Sequence, residues 1–228
     1  MSIAAPDATC LYTQLYHAYG DQRWWPGDSP AEVVLGAVLT QNTVWANAAQ
    51  AIGRLKAAGL DSFERLLAAP EDTVKACIRP AGCHNVKYGR LMNLLRLVVD
   101  QGGLCALGTL TTEECRTLLL SVKGIGPETA DCILLYALGK RVFVVDRYTR
   151  RLLVRLGHDW ARESSYDTVQ SWFSQGLGTD PQVYNECHAL IVQHGKAHCR
   201  ATPRCYGCPM ARSCVTAQTP APSDATSA

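Results

Sequence analysis

The sequence predicts an all-α protein, on three observations. Apolar residues recur at intervals of three and four in one segment after another, almost no stretch alternates apolar with polar residues as a half-buried strand would, and the segments are short and closely spaced. At 228 residues the chain can bury a sizeable core, as one domain or two small lobes.

Leu11, Leu15 and Tyr19 stand four apart, which predicts a helix over residues 9–20, broken by Trp24-Trp25-Pro26-Gly27. Two adjacent tryptophans in a loop can place one ring against the core and the other toward a cleft; both rings as plain packing is the competing reading. Ser29-Pro30 with Glu32 has the character of a helix start, and Val33, Val34, Ala37 and Val38 make the segment apolar enough to be central. It ends at Thr40-Gln41-Asn42-Thr43, where core meets solvent, and Trp45 follows. Helical patterns resume through Ala51 and Leu55, through Phe63, Leu66 and Leu67, and over 74–78; Pro80-Ala81-Gly82 makes a turn. Asn85, Lys87 and Arg90 then open a longer helix with Leu91, Leu94, Leu95 and Val98 as its stripe.

Thr111 and Glu114 have capping-box spacing, so a helix is expected over 111–121. Gly124-Ile125-Gly126-Pro127 follows, two glycines free to adopt φ > 0 and a proline suited to open the next helix, whose apolar face is Ala130, Ile133, Leu134, Ala137 and Leu138. Gly139 ends it, with Lys140 and Arg141 at the negative end of the dipole. A turn this tight directs backbone N–H groups around Gly124 to Gly126 outward at a helix N-terminus, which suits a phosphate oxygen; an ordinary core hairpin is the competing reading. The apolar run Val142 to Val145 then delivers a lone acid, Asp146, followed by Arg147, Arg150, Arg151 and Arg155. Such an acid is either paired with an arginine or poised for chemistry. Further helices are expected over 148–156, 166–173 and 182–195, and the Thr, Ala, Pro and Ser residues of 215–228 read as a disordered tail.

The formal charge of +2 points to no polyanion, but the charges cluster. Residues 140–155 carry six bases against one acid, and residues 194–214 carry Lys196, Arg200, Arg204 and Arg212 against none. The two patches point to DNA or RNA, or to solvated helix faces. The first residues lack a basic segment followed by an apolar run, and no apolar stretch reaches membrane-spanning length, so a cytoplasmic protein is expected. Eleven cysteines in such a chain argue for metal or buried thiols over disulfides. Cys199-x5-Cys205-x2-Cys208-x5-Cys214 places four thiols within sixteen residues, which suits tetrahedral zinc or a [4Fe-4S] cluster; spacing does not choose between them.

The hairpin VKGIGPETAD, the VVD twenty residues beyond it and the four-cysteine loop, in that order, resemble the endonuclease III-like helix-hairpin-helix (HhH-GPD) DNA glycosylase family. WWP, AVLTQNTVW, IRPAGCHNVKYGR and SVKGIGPETADCILLYAL look most like its bacterial 3-methyladenine DNA glycosylase branch. The resemblance implies two helical lobes with a DNA cleft between them: 1–28 with 141–214 as an iron-sulfur lobe, and 29–140 as a helical lobe carrying the hairpin. It implies a monomer in the bacterial cytoplasm, acting on double-stranded DNA with a flipped damaged base. Asp146 would be the catalytic carboxylate. Trp24 or Trp25 with Trp45 would stack on the base, and Gln41 would fill the gap it leaves. Lys123, Gly124, Gly126, Arg147, Arg200 and Arg204 would meet DNA, the arginines near Asp146 mostly holding phosphates. Cys199, Cys205, Cys208 and Cys214 would bind [4Fe-4S], with zinc the alternative. Two positions depart from the pattern. Glu128 stands where strand-cutting members carry a nucleophilic lysine, which predicts a glycosylase without lyase activity. The first cysteine gap is one residue shorter than usual. The rival readings are a glycosylase/lyase on oxidised pyrimidines and a non-catalytic DNA-binding module.

Overall fold

The computed structural model describes residues 4–22, 24 and 27–218. Its helices are α1 (Ala8–Tyr19), α2 (Pro30–Leu39), α3 (Trp45–Ala57), α4 (Phe63–Ala68), α5 (Glu71–Ile78), α6 (His84–Asp100), α7 (Gly103–Thr109), α8 (Thr112–Ser121), α9 (Pro127–Cys132), α10 (Arg147–Arg155), α11 (Tyr166–Gly176), α12 (Pro181–Ala197) and α13 (Val215–Gln218). Among the described residues there is no β-strand, as the absence of alternation predicted, and no helix is long and apolar enough to cross a membrane. The expected tail begins with α13 instead of disorder; residues 219–228, like Trp25, lie outside the described residues.

The chain forms two compact units, one from residues 25–142 and the other from 1–24 with 143–228. In the first, α2 is central. Ser29 accepts a hydrogen bond from the Glu32 N–H and Pro30 sits in the first turn, while Val33, Val34, Leu35, Gly36, Val38 and Leu39 are buried. This helix packs on α3, α6 and α9. Lys87 of α6, itself buried, donates to the carbonyls of Leu39 (2.8 Å) and Ala81 (2.6 Å), tying the end of α2 to the turn before α6. Both halves of the capping box of α8 are made: Glu114 N–H to Thr111 Oγ1 at 3.2 Å and Thr111 N–H to Glu114 Oε2 at 2.8 Å.

Three details of this unit depart from expectation. Only Gly124 of the hairpin pair has positive φ (+98°); Gly126 is the extended N-cap of α9 at φ −98°. The second hairpin helix widens into a π-helix over Ile133–Ala137 and closes at Gly139 (φ +62°), with the Lys140 N–H bonded to the Leu134 carbonyl. Lys140 does not serve its own helix end. Its ammonium donates to the carbonyls of Gly108 (2.6 Å) and Leu110 (2.5 Å), closing α7, an element with no signature in the sequence.

In the second unit α12 is the core helix, packed by α1 and α10. Tyr184, Cys187, Ala189, Leu190 and Ile191 are fully buried, as are Leu11 and Leu15 of α1. The run from Phe143 to Val145 has no regular secondary structure, and side chains satisfy part of its backbone: Gln170 donates to the Phe143 carbonyl (2.7 Å) and the Val145 N–H donates to Tyr166 (3.1 Å). Phe143 stacks on Phe173 with centroids 3.7 Å apart and 9° between the planes. This anchored strap ends at Asp146.

Candidate functional site

Asp146 is the N-cap of α10, a role its spacing to Thr149 permits. One carboxylate oxygen, Oδ1, accepts from the Thr149 N–H (2.8 Å) and the Thr149 hydroxyl (2.9 Å). The other, Oδ2, lies 3.7 Å from Nε2 of His188 on α12. The Asp146 side chain is 11% exposed. Burial pushes its pKa up, but His188 and then the two Thr149 bonds outweigh burial and hold it below the usual carboxylate value. The acid is therefore an anion in an enclosed setting, able to stabilise positive charge in front of it.

The expected arginine partners of Asp146 have other work. Arg150 donates to the carbonyls of Ala161 (3.0 Å) and Ser164 (2.9 Å), and Arg151 to that of Cys199 (2.8 Å). Arg155 donates to Cys199 Sγ (3.2 Å) and to the carbonyls of Arg200 (2.6 Å) and Ala201 (2.7 Å). Arg151 and Arg155 thus tie the cysteine loop to α10, and Arg150 ties residues 161–164 to it. Arg147 is exposed; it and Arg151 flank the Tyr148 ring at 5.1 and 5.0 Å.

In the other unit the hairpin and Gln41 form one network. Gln41 donates to the Gly124 carbonyl (3.2 Å) and the Thr129 hydroxyl (3.0 Å) and accepts from Arg90 (2.6 Å). The stem of Arg90 lies so close under Gly124 that a Cβ there would meet Arg90 Cγ at 2.3 Å. Lys123, Gly124, Gly126 and Glu128 are exposed, while the Ile125 N–H is taken by the Val122 carbonyl (3.0 Å), which removes it from the donors expected to face a phosphate. Trp45 lays its ring against Gly36 and lines an open cavity with Glu32, Ile52 and Lys56. Trp24 is partly exposed, with the Lys196 ammonium 5.3 Å above its ring.

The four expected thiols come together. Cys199, Cys205, Cys208 and Cys214 line one cavity with Arg155 and His194. Among the described residues no three His, Cys, Asp or Glu side chains are set to hold a metal ion, and the Cys214 thiol donates to the Arg155 carbonyl (3.2 Å). Burial pushes the thiols of Cys208 and Cys214 up, against the smaller opposing pull of the Met210 N–H toward Cys208 and of the Ala217 and Thr216 N–H groups toward Cys214. Four cysteines on one cavity, two of them met by backbone N–H groups, supply the donor set of a thiolate-held group. Behind them, buried His194 pairs its Nδ1 with the Tyr19 hydroxyl (2.9 Å) and brings Nε2 to 3.9 Å from Cys208 Sγ. Burial and then His198 lower its pKa to about 4, so it is a neutral imidazole. Arg200 and Arg204 are exposed on this loop, Arg200 donating to the Lys196 carbonyl (2.7 Å).

Reading the sequence missed His188, Thr149 and the tether made by Arg155. His188 did leave a trace, as a polar residue inside the apolar run 187–192 of α12. The arginine ties left none, since a backbone carbonyl acceptor has no sequence signature.

Residues 35–175 match the HhH-GPD superfamily of base excision DNA repair proteins. A putative DNA repair glycosylase of Methanocaldococcus jannaschii is 42% identical over 209 residues, 90% of this chain and 94% of that protein. The H. pylori 3-methyladenine DNA glycosylase bound to 1,N6-ethenoadenine has a TM-score of 0.73 at 29% identity, covering 84% of this chain and 98% of that one. A trapped endonuclease III–DNA covalent intermediate has a TM-score of 0.76 at 21% identity, covering 91% and 93%, a likeness of fold.

Proposed function

The chain belongs to the endonuclease III-like HhH-GPD family of base excision DNA glycosylases, and we propose that it is a monofunctional member, hydrolysing the N-glycosidic bond of an alkylated base and leaving the strand uncut. The observation that carries the reading is the enclosed, ionised Asp146 on the cap of α10. As the bond between C1′ and the base nitrogen breaks, its electron pair leaves with the base and the sugar gains oxocarbenium character. A nearby anion stabilises that charge and accepts a proton from the water that adds to C1′. Glu128 on the hairpin has no amine with which to form a Schiff base, which supports hydrolysis without strand cleavage. Likeness to a 3-methyladenine glycosylase supports an alkylated purine. An electron-poor purine gains about 1–2 kcal/mol per contact from aromatic walls, the role we assign to Trp24, Trp25 and Trp45.

Gly124 and Gly126, with Lys123, Arg147, Arg200 and Arg204, are proposed to hold the DNA backbone, and Gln41 to fill the gap beside the hairpin network that carries it. Cys199, Cys205, Cys208 and Cys214 would hold a [4Fe-4S] cluster, with zinc as the alternative. When bound, the group supplies four metal–sulfur bonds that crosslink the loop carrying Arg200 and Arg204. Absorbance at ~400 nm with iron in the purified protein is expected; zinc without that band would reverse the assignment.

The decisive experiment uses duplexes bearing a 3-methyladenine analogue, 1,N6-ethenoadenine, uracil, thymine glycol or an abasic site, with wild type and Asp146→Asn, with and without alkali. Wild type should release an alkylated base and need alkali for strand breaks, and Asp146→Asn should lose roughly a hundredfold or more in rate. Borohydride trapping through a lysine would show a lyase, and no base released from any duplex would leave a DNA-binding module.

A further inference from the structure

We infer that His188 is the positioning residue of Asp146, its Nε2 holding the Oδ2 oxygen in place as the face of the carboxylate that meets the sugar. The inference rests on the reading of Asp146 as the catalytic acid. The two oxygens of Asp146 divide their work. Thr149 occupies Oδ1 with two donors and locks it to the helix end, whereas Oδ2 faces the imidazole at 3.7 Å. That separation is longer than a hydrogen bond, in the range of contacts that tighten when a substrate fills the site.

The imidazole is itself rigidly held. His188 is 6% exposed, on the helix at the centre of its unit, with the edge of its ring against Phe143 (centroids 6.2 Å apart, 84° between the planes). Phe143 in turn stacks on Phe173, so the segment that delivers Asp146 and the helix that delivers His188 share one aromatic core. The other ionisable groups around this end of α10 face elsewhere: Tyr166 from α11 takes the Val145 N–H, Arg150 and Arg151 take carbonyls, and Tyr148 packs between Arg147, Arg151 and Gly195.

The chemistry requires such a group. An enclosed carboxylate drifts toward its neutral form, and a neutral acid gives an oxocarbenium ion nothing. His188 is the largest of the influences that keep Asp146 ionised, ahead of both Thr149 bonds. Its removal should therefore raise the pKa of Asp146, so that activity is lost at a higher pH as the solution is acidified.

The test compares wild type, His188→Gln, His188→Phe and His188→Leu in single-turnover base release from the duplex that wild type cleaves fastest, across the acid range. The Phe and Leu variants should lose about ten- to a hundredfold in rate and show an acid limb displaced to higher pH, with DNA affinity unchanged. Gln, which keeps an N–H donor of similar reach, should recover most of the rate. An unmoved acid limb in the Phe or Leu variant, or a Gln variant no better than Leu, overturns the inference. Asp146→Asn separates the two claims: if it keeps the wild-type rate the catalytic reading fails, and if it alone is inactive the reading stands without His188. Where wild type releases no base, the carbon-13 carboxyl titration of Asp146 decides, and where neither Phe nor Leu folds His188→Met, which also lacks a donor, takes their place in both measurements: a midpoint identical in wild type and the donor-less variant overturns the inference.

Discussion

Gly124 and Gly126 are the same letter on either side of Ile125, yet the structure asks different things of them. Gly124 holds φ +98°, and a methyl there would run into the stem of Arg90 at 2.3 Å; Gly126 holds φ −98° with nothing within 4 Å of where its Cβ would stand. Strain and clash together should make Gly124→Ala cost about 2 kcal/mol. Gly126→Ala should change stability by no more than about 0.5 kcal/mol, as an unobstructed surface position does. Urea unfolding of the two variants checks this, and equal midpoints would contradict the geometry. The sequence announced the turn through its glycines and Pro127. It could not say which glycine needed its freedom, because that depends on Arg90, thirty-four residues earlier in the chain.

Elements whose ends are written locally were legible. The capping residues of α2 and α8, the stripe of α6 and the closure at Gly139 all depend on neighbours within a few positions. Those that depend on distant groups were not. Helix α7 opens on two glycines, its N-cap Gly102 at φ +83° and its first residue Gly103 at φ +90°, lacks a side-chain cap and is closed by the ammonium of Lys140. The arginines of α10 show the same limit in the candidate site. Their density suggested phosphates, whereas Arg150, Arg151 and Arg155 are consumed by carbonyls of the protein itself. Arg155→Met should therefore act on the loop before it acts on DNA. Losing three charge-assisted bonds, partly exposed, should cost about 1–2 kcal/mol and speed amide exchange over residues 199–205. Unchanged exchange there, with weakened DNA binding, would restore Arg155 to the phosphate ligands.

At the scale of the molecule, the first helix and the cysteine loop belong to one unit although nearly the whole chain separates them. The acid, the loop and the N-terminus thus share a core, which periodicity alone could not reveal because it reports faces and not partners. Leu11 and Leu15 of α1 are completely buried, α1 packs on α11 and α12, and Tyr19 reaches His194 behind the thiols. Leu15→Ala should accordingly destabilise this unit by about 2–5 kcal/mol, the transfer loss plus the cavity left behind. The same side chain on a merely appended helix would cost little, since fraying would relieve the cavity. Amide exchange read along the chain distinguishes the two: acceleration over residues 166–176 and 181–197 is expected. Acceleration confined to residues 8–19 would show that α1 decorates the unit without supporting it.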